Sequence, residues 1–418
     1  MTAVRIRSVT IGVDPENPRF ETLGSRLENL KGAVARAVAD VGMEVQTWRL
    51  VLPPVQPVRS FSRFSLGNRL DALQRVTGSV GIRWLCLPFR CSGCWPEDEF
   101  ASAVLEVIRR RPNVFVHFLV GEGGEIYCQR LNTIGKIILS ASRLSSNGFD
   151  NFRVGAGCEI RPNTPFFPFS YHEGANGFSL ALEVIGLMTE IAQRHPEATI
   201  LELRQEWVQA LRQTCCVVER VAGEIEAATG WQFKGVDLSL APYPEGGRSV
   251  ARLIEDIGPR HAGQGGTLAV TSILTDMLKD VVRGAGVKAA GFNGVMFSVM
   301  EDEGLATANN ARHLTVEKLL AFSSVCGCGL DMVPLAGTVF PEEIANMIFD
   351  VASLASCLHK PLGVRVLPIP MKGSNEMTDF NHDFLVNTRI FAVDGDRFRR
   401  LIGPEGNLRF SPREGVAS

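Results

Sequence analysis

The segment Gly235-Val-Asp-Leu-Ser-Leu-Ala-Pro-Tyr-Pro-Glu-Gly-Gly-Arg-Ser-Val-Ala-Arg252 gathers more reactive side chains than a plain reversal of direction requires. It reads as a buried strand, a polar glycine turn and the start of a helix. Asp237 and Ser239 alternate on the strand and so face one side. Gly247, Arg248 and Ser249 stand where the helix begins. Free backbone N–H groups, the helix dipole and a guanidinium would hold a carboxylate or phosphate there. On this reading Asp237 is catalytic, and Ser239, Tyr243, Gly247, Arg248 and Ser249 bind substrate. The plainer alternative is that Ser249 or Glu245 caps the helix while Arg248 pairs with an acid.

Other clusters could share the work. Glu301-Asp-Glu303 puts three carboxylates side by side, which repel unless solvated, capped or bound to a cation. With Asp331, Glu301 and Glu303 form a candidate oxygen site for Mg²⁺ or Ca²⁺; the alternative is an acidic first turn that favours the next helix. In Val325-Cys-Gly-Cys-Gly329, Cys326 is a candidate nucleophile. It follows a helix C-terminus, whose dipole raises a thiol pKa, so a thiolate there needs a cationic neighbour. His172, in a loop between two expected strands, is the candidate proton carrier or metal ligand, with Glu173 to orient it. Gly266 and Thr267, in Gly263-Gln-Gly-Gly-Thr267, offer a second anion cradle before a helix. Cys91-Ser-Gly-Cys94 is a redox pair or half a zinc site, with no second such pair to complete it. Walker A, G-x-G-x-x-G and G-x-S-x-G sequences do not occur.

Composition narrows the partners. The 418 residues carry 43 basic and 45 acidic side chains, a net charge of −2 that favours neither nucleic acid nor an anionic membrane. No apolar run reaches the roughly 18–20 residues of a membrane span, Glu183 interrupting the best one. The first residues, Met-Thr-Ala-Val-Arg-Ile-Arg-Ser, enter a strand pattern at once, without the apolar core of a signal peptide. A cytoplasmic protein with reduced thiols is the expectation. The partner is then a small anionic metabolite, and a homodimer is the general expectation for oligomeric state.

Elements that could position these residues alternate along the chain. Strands are expected over Arg5 to Asp14, Glu44 to Leu52, Val80 to Leu87, Val114 to Val120 and Phe152 to Ile160, then over Phe178 to Ile185, Gly235 to Ala241, Gly294 to Val299, Leu330 to Leu335 and Gly363 to Pro368. Amphipathic helices lie between them, among them Arg26 to Val41 and the long Leu201 to Thr229 with Gly230 as its C-cap. Such alternation implies an α/β fold with parallel pairing and right-handed crossovers. About ten such units could form a closed barrel or two doubly wound halves; with no linker dividing them, residues 1–398 read as one domain, taken as the closed barrel, and 399–418 as a loose surface tail.

Val236-Asp-Leu-Ser-Leu-Ala-Pro242, Ser249-Val-Ala-Arg252, Glu301-Asp-Glu-Gly304 and Gly329-Leu-Asp-Met332, in this order, resemble the family called domain of unknown function 711, or UPF0210. The resemblance is specific across Gly235 to Pro368 and implies a ten-stranded α/β barrel like that of pyruvate formate-lyase. The Arg-Val-Ser/Ala-Gly-Tyr-type glycyl radical motif is not present near the C-terminus, so no glycyl radical is expected. Cys326 matches a cysteine of the family pattern, whereas Cys328 and the 91–94 pair do not. The turn before Thr267 lacks a histidine that relatives carry. Together these features lead to a non-radical enzyme acting on a small anionic metabolite, assisted by a divalent metal. The alternative is a metabolite-binding or regulatory protein on an enzyme-derived barrel.

Overall fold

The computed structural model describes residues 4–14, 22–55, 63–93, 96–245, 247–393 and 406–411. Within them lie the strands β1 (Arg5–Gly12), β2 (Trp48–Val51), β3 (Trp84–Arg90), β4 (Val114–Glu122), β5 (Glu125–Ile126) and β6 (Val154–Cys158). They continue with β7 (Gly177–Glu183), β8 (Gln232–Asp237), β9 (Gly329–Ala336), β10 (Leu362–Ile369) and β11 (Leu408–Arg409). They form one mixed sheet in the order β8-β7-β1-β2-β3-β4-β6-β10-β9, with β5 joining β4 to β11. Of the tail 399–418, only 406–411 is described, and there β11 pairs with β5 rather than lying loose.

Two features depart from the sequence expectation. The ladder is not uniformly parallel: β1 meets β7 and β6 meets β10 antiparallel, separating three parallel blocks. The ladder is also open, ending at β8 and β9. The strand expected at Gly294 to Val299 does not form. The stretch 289–298 instead makes single parallel bridges, Ala289 with Val236, Val295 with Leu240 and Ser298 with Asp331. Two left-handed residues, Gly291 and Asn293, break its extension.

The fully buried strands form where long apolar runs are covered on both faces. Every residue of β7, β9 and β10 is buried, as their continuous apolar runs require. Helices cover the outside. The helix Ile200–Thr229 starts on a capping box between Thr199 and Glu202 and stops at left-handed Gly230. Its stripe of Leu203, Trp207, Leu211, Val218 and Val221 is buried as its spacing predicts.

One long loop lies inside. From Thr164 to His172 every residue is buried. A buried loop must find partners for its carbonyls. Here Ser8, Thr10 and Arg49 donate to the Pro165 carbonyl, at 3.0, 3.1 and 3.3 Å. His117 Nδ1 lies 3.0 Å from the Ser170 carbonyl and the Cys86 thiol 3.4 Å from it. Side chains of β1 to β4 thus hold the loop in place.

Candidate functional site

A cavity of about 90 Å³ opens between the inner loop and the segment 288–298. Three strands each send an arginine to it: Arg7 from β1, Arg49 from β2 and Arg365 from β10. Its remaining wall is mainly aromatic, with Trp84, Phe115, Phe167 and Tyr243 among the contributors. Each guanidinium lies over a ring: Arg7 over Tyr243 at 5.5 Å, Arg49 over Phe167 at 5.4 Å and Arg365 over Phe152 at 5.4 Å. Such stacking favours a cation without neutralising it.

The three arginines are not equivalent. Arg365 holds Asp331 through Nε at 2.6 Å and Nη2 at 2.9 Å, and Glu301 through Nη2 at 2.8 Å. Burial works against its charge, but Asp331 and Glu301 outweigh that and raise it above the ordinary arginine value. Burial likewise raises the Asp331 carboxyl, opposed by Arg365. Arg7 and Arg49 have no carboxylate at ion-pair distance among the described residues. Arg7 donates to the carbonyls of Ala241 at 3.3 Å and Pro242 at 2.8 Å. Arg49 donates to Pro165 and to the Thr47 hydroxyl, both at 3.3 Å. Burial lowers both guanidiniums, and with Arg7 beside it Arg49 falls to about 9. A guanidinium keeps its proton across the neutral range. Glu301, on the same cavity but beyond ion-pair distance of Arg7 and Arg49, offsets part of the burial cost for both; sequestered cations without a paired anion remain costly, so this wall favours a negatively charged guest.

Most of the residues expected to act lie elsewhere. Asp237 is fully buried and fastens the segment 288–298 to β8. It accepts from Ser239 Oγ at 2.6 Å and from the N–H groups of Ser239, Phe292 and Asn293 at 2.8, 2.8 and 3.1 Å. Burial nonetheless raises its carboxyl. Ser239 Oγ also accepts from Gly294 N. A Cβ on Gly291 would stand 1.9 Å from Asp237 Oδ2, so only glycine fits that turn. Asp237 and Ser239 hold the backbone together and do not line the cavity.

The glycine turn before Val250 does gather backbone donors, but the anion they receive belongs to the chain. Asp302 Oδ2 accepts from Val250 N at 2.7 Å and Ala251 N at 3.3 Å, while Oδ1 accepts from Ser249 Oγ at 2.5 Å. The same Oδ1 takes the N–H groups of Gly304 and Leu305 at 2.8 and 3.1 Å. One carboxylate therefore caps the helices Val250–Ile257 and Glu303–Asn310 together. Ser249 is itself a helix cap, accepting from Arg252 N at 3.1 Å. Arg248 is held by Glu183 at 3.0 Å and stacks on Tyr243 at 5.3 Å. Gly247 is exposed, and Gly246 lies outside the described residues. Of this group only Tyr243 reaches the cavity.

The proposed cation site is also redistributed. Glu301 and Asp331 do meet at the cavity, but the charge between them is the Arg365 guanidinium. Glu303 is exposed in the first turn of its helix, an acidic helix start. Among the described residues no three His, Cys, Asp or Glu side chains assemble as a metal-binding group. His172 is buried against Gly12, whose Cβ would lie 2.1 Å from its Nδ1, and Nδ1 pairs with Asn163 Oδ1 at 2.9 Å. Burial, with Lys234, lowers it to about 4. It does not line the cavity. Gly266 and Thr267 start the helix Thr267–Ala285, where the Thr267 hydroxyl accepts from Gly263 N at 2.9 Å. Cys91 is buried and pushed up to about 12, and Cys94 lies outside the described residues.

Cys326 is buried and does not line the cavity, whereas Cys328 does. Sequence reasoning missed Arg7, Arg49, Arg365 and Cys328 as site residues. The signal was an arginine inside an apolar strand run, Ile6-Arg7-Ser8-Val9 and Trp48-Arg49-Leu50-Val51, where a charge has to face something other than core.

The family model described as "Uncharacterised ACR (DUF711)" matches residues 1–382 of this chain. A UPF0210 protein of Pyrobaculum arsenaticum is 31% identical over 252 residues, covering 60% of this chain and 56% of that protein. A UPF0210 protein of Neisseria meningitidis serogroup C is 25% identical over 395 residues, covering 90% and 87% of the two chains. A UPF0210 protein of Pyrobaculum islandicum is 26% identical over 395 residues, covering 91% and 85%. The motifs around Asp237, Asp302 and Asp331 thus sit in a match that spans most of the sequence, and the chain belongs to the DUF711 family.

Proposed function

We propose that this protein is an enzyme that binds a small organic anion in the three-arginine cavity and transforms it there without radical chemistry. The observation that carries this reading is the pair Arg7 and Arg49, two guanidiniums on one cavity with no carboxylate partner at ion-pair distance among the described residues. A bound carboxylate or phosphate would supply the missing charge, and bidentate contacts to a guanidinium suit either group. The aromatic wall would take the apolar part of the guest. Beside Glu301 and Asp331, the reading gives Arg365 the place that a divalent cation would otherwise take. It also takes the segment 288–298, bridged to both β8 and β9, as the element that closes the sheet into a barrel.

Thermal melts with small mono- and dicarboxylates and with inorganic phosphate test the reading. At least one such anion should raise the melting temperature of the wild type and fail to raise that of Arg49→Gln. No response to any of them, or an equal response of both proteins, would remove the anion site. Stabilisation with an unchanged ligand after long incubation would leave a binding protein without turnover.

A further inference from the structure

We infer that the cavity selects a short-chain monocarboxylate, its carboxylate shared by Arg7 and Arg49 and its apolar tail laid on the ring wall. This class rests on the anion-binding reading and narrows its guest by charge, by open donors and by size.

Three guanidiniums and two carboxylates line the cavity, and no other Asp, Glu, Lys, Arg or His does so among the described residues. Both oxygens of Asp331 accept from Arg365, at 2.6 and 2.9 Å, the arrangement of an ionised carboxylate. Glu301 accepts from Arg365 at 2.8 Å and from Ser298 Oγ at 2.5 Å. One positive charge is left over. Arg248, stacked on Tyr243, is paired with Glu183 at 3.0 Å and does not change the count. A single carboxylate balances the cavity. A dianion would turn it negative beside Glu301 and Asp331.

The donors are arranged for one such group. All three nitrogens of Arg365 are taken by the chain, Nη1 by the Phe152 carbonyl at 3.4 Å. Arg7 gives both Nη groups to the carbonyls of Ala241 and Pro242, and Arg49 gives Nε and Nη1 to Thr47 and Pro165. Arg7 Nε and Arg49 Nη2 are left without an acceptor among the described residues. Two open donors on paired strands suit the two oxygens of one carboxylate. The sheet is irregular where it presents these charges. Arg7 is the extra residue between the pairs Ile6–Leu182 and Ser8–Ala181, a bulge, the device by which a strand re-aims a side chain. Met332 is the extra residue after the pair Asp331–Arg365, and it takes a left-handed backbone that is rare outside glycine. Such departures gather at binding and active sites.

The walls limit the tail. An apolar cavity of about 150 Å³ takes benzene, so the volume here, about 90 Å³, leaves room for roughly four to six non-hydrogen atoms. Around Phe115 stand the rings of Trp84 at 5.5 Å, Phe152 at 5.6 Å and Phe167 at 5.4 Å. Phenylalanine rings donate no hydrogen bond, so a second carboxylate would lose its water there without gaining a partner. A short alkyl tail meets no such penalty.

Isothermal titration of the full chain with butyrate, butyramide, malonate, benzoate and inorganic phosphate tests the class. Butyrate should bind at least about tenfold more tightly than each of the others. Glu301→Gln adds one positive charge and should raise the affinity for malonate relative to butyrate by about tenfold. Arg49→Gln should weaken butyrate and leave butyramide unchanged. Malonate or phosphate binding the wild type as tightly as butyrate, or a malonate-to-butyrate ratio unmoved by Glu301→Gln, would overturn the single-charge class. Benzoate binding as tightly as butyrate would overturn the size limit. Each of these leaves the anion-binding reading in place. Butyramide binding as tightly as butyrate, or no binding of any of the five, would overturn that reading as well. Should Glu301→Gln not fold, the order of butyrate, malonate and benzoate on the wild type decides.

Discussion

Arg365 grips Asp331 with two nitrogens, Nε at 2.6 Å and Nη2 at 2.9 Å, and with the same Nη2 reaches Glu301 at 2.8 Å. A guanidinium thus stands where two carboxylates from different parts of the chain would otherwise repel each other or collect a metal ion. Arg365→Ala should cost about 3–5 kcal/mol, because it leaves two sequestered carboxylates uncompensated. Mg²⁺ or Ca²⁺ should then raise the melting temperature of the variant and leave that of the wild type unmoved. Stabilisation of the wild type by the same low cation concentration would show that the guanidinium does not hold this place.

Arg49 is the reverse case, a cation whose surroundings disfavour it. Burial and the neighbouring Arg7 lower it to about 9. Arg49→Gln should therefore raise the melting temperature of the ligand-free protein, by about 2 °C, while removing its response to anions. A variant that melts lower than the wild type and still responds to anions would contradict both the strain and the site.

Two buried histidines predict a pH dependence. Burial lowers His117 and His172 to about 4, whereas an unfolded histidine titrates near about 6.5. Between those values the unfolded chain binds more protons than the folded one, so stability falls as pH drops through this window and is complete above it. Each histidine accounts for roughly 3 kcal/mol at most. Urea unfolding at stepped pH should show the loss, and His117→Gln should flatten the slope. A slope unchanged in that variant would mean that His117 does not stay neutral in the fold.

Asp302 ties together two helix starts, and Ser249 caps only its own. Ser249→Ala should cost about 1 kcal/mol, the ordinary value of a cap. Asp302→Ala should cost about 3 kcal/mol, since buried donors on both helices lose a charged acceptor. Equal losses in urea unfolding would mean that Asp302 serves one helix alone.

Much of the frame was written in local pattern. The capped helix Ile200–Thr229, the buried runs of β9 and β10 and the burial of Leu27, Leu30 and Val34 all follow from spacing and caps. Gly294 to Val299 carries the apolar residues of a strand, but Gly291 and Asn293 turn the backbone out of extension just before it. The antiparallel junctions were not legible either. Pairing direction depends on how a crossover returns, which an apolar run does not encode.

Periodicity and capping act over a few residues, so local pattern was enough to single out the reactive residue types and most of the strands and helices. It could not separate a carboxylate that anchors a backbone from one that faces a guest. Asp237, Asp302 and Asp331 occupy equally suggestive motifs, and only long-range packing made the first a clip, the second a double cap and the third part of a cavity wall. The tertiary structure alone decided that Arg7, Arg49 and Arg365 converge. Their positions in the sequence are far apart, and their shared electrostatics exists only once the strands that carry them stand around one space.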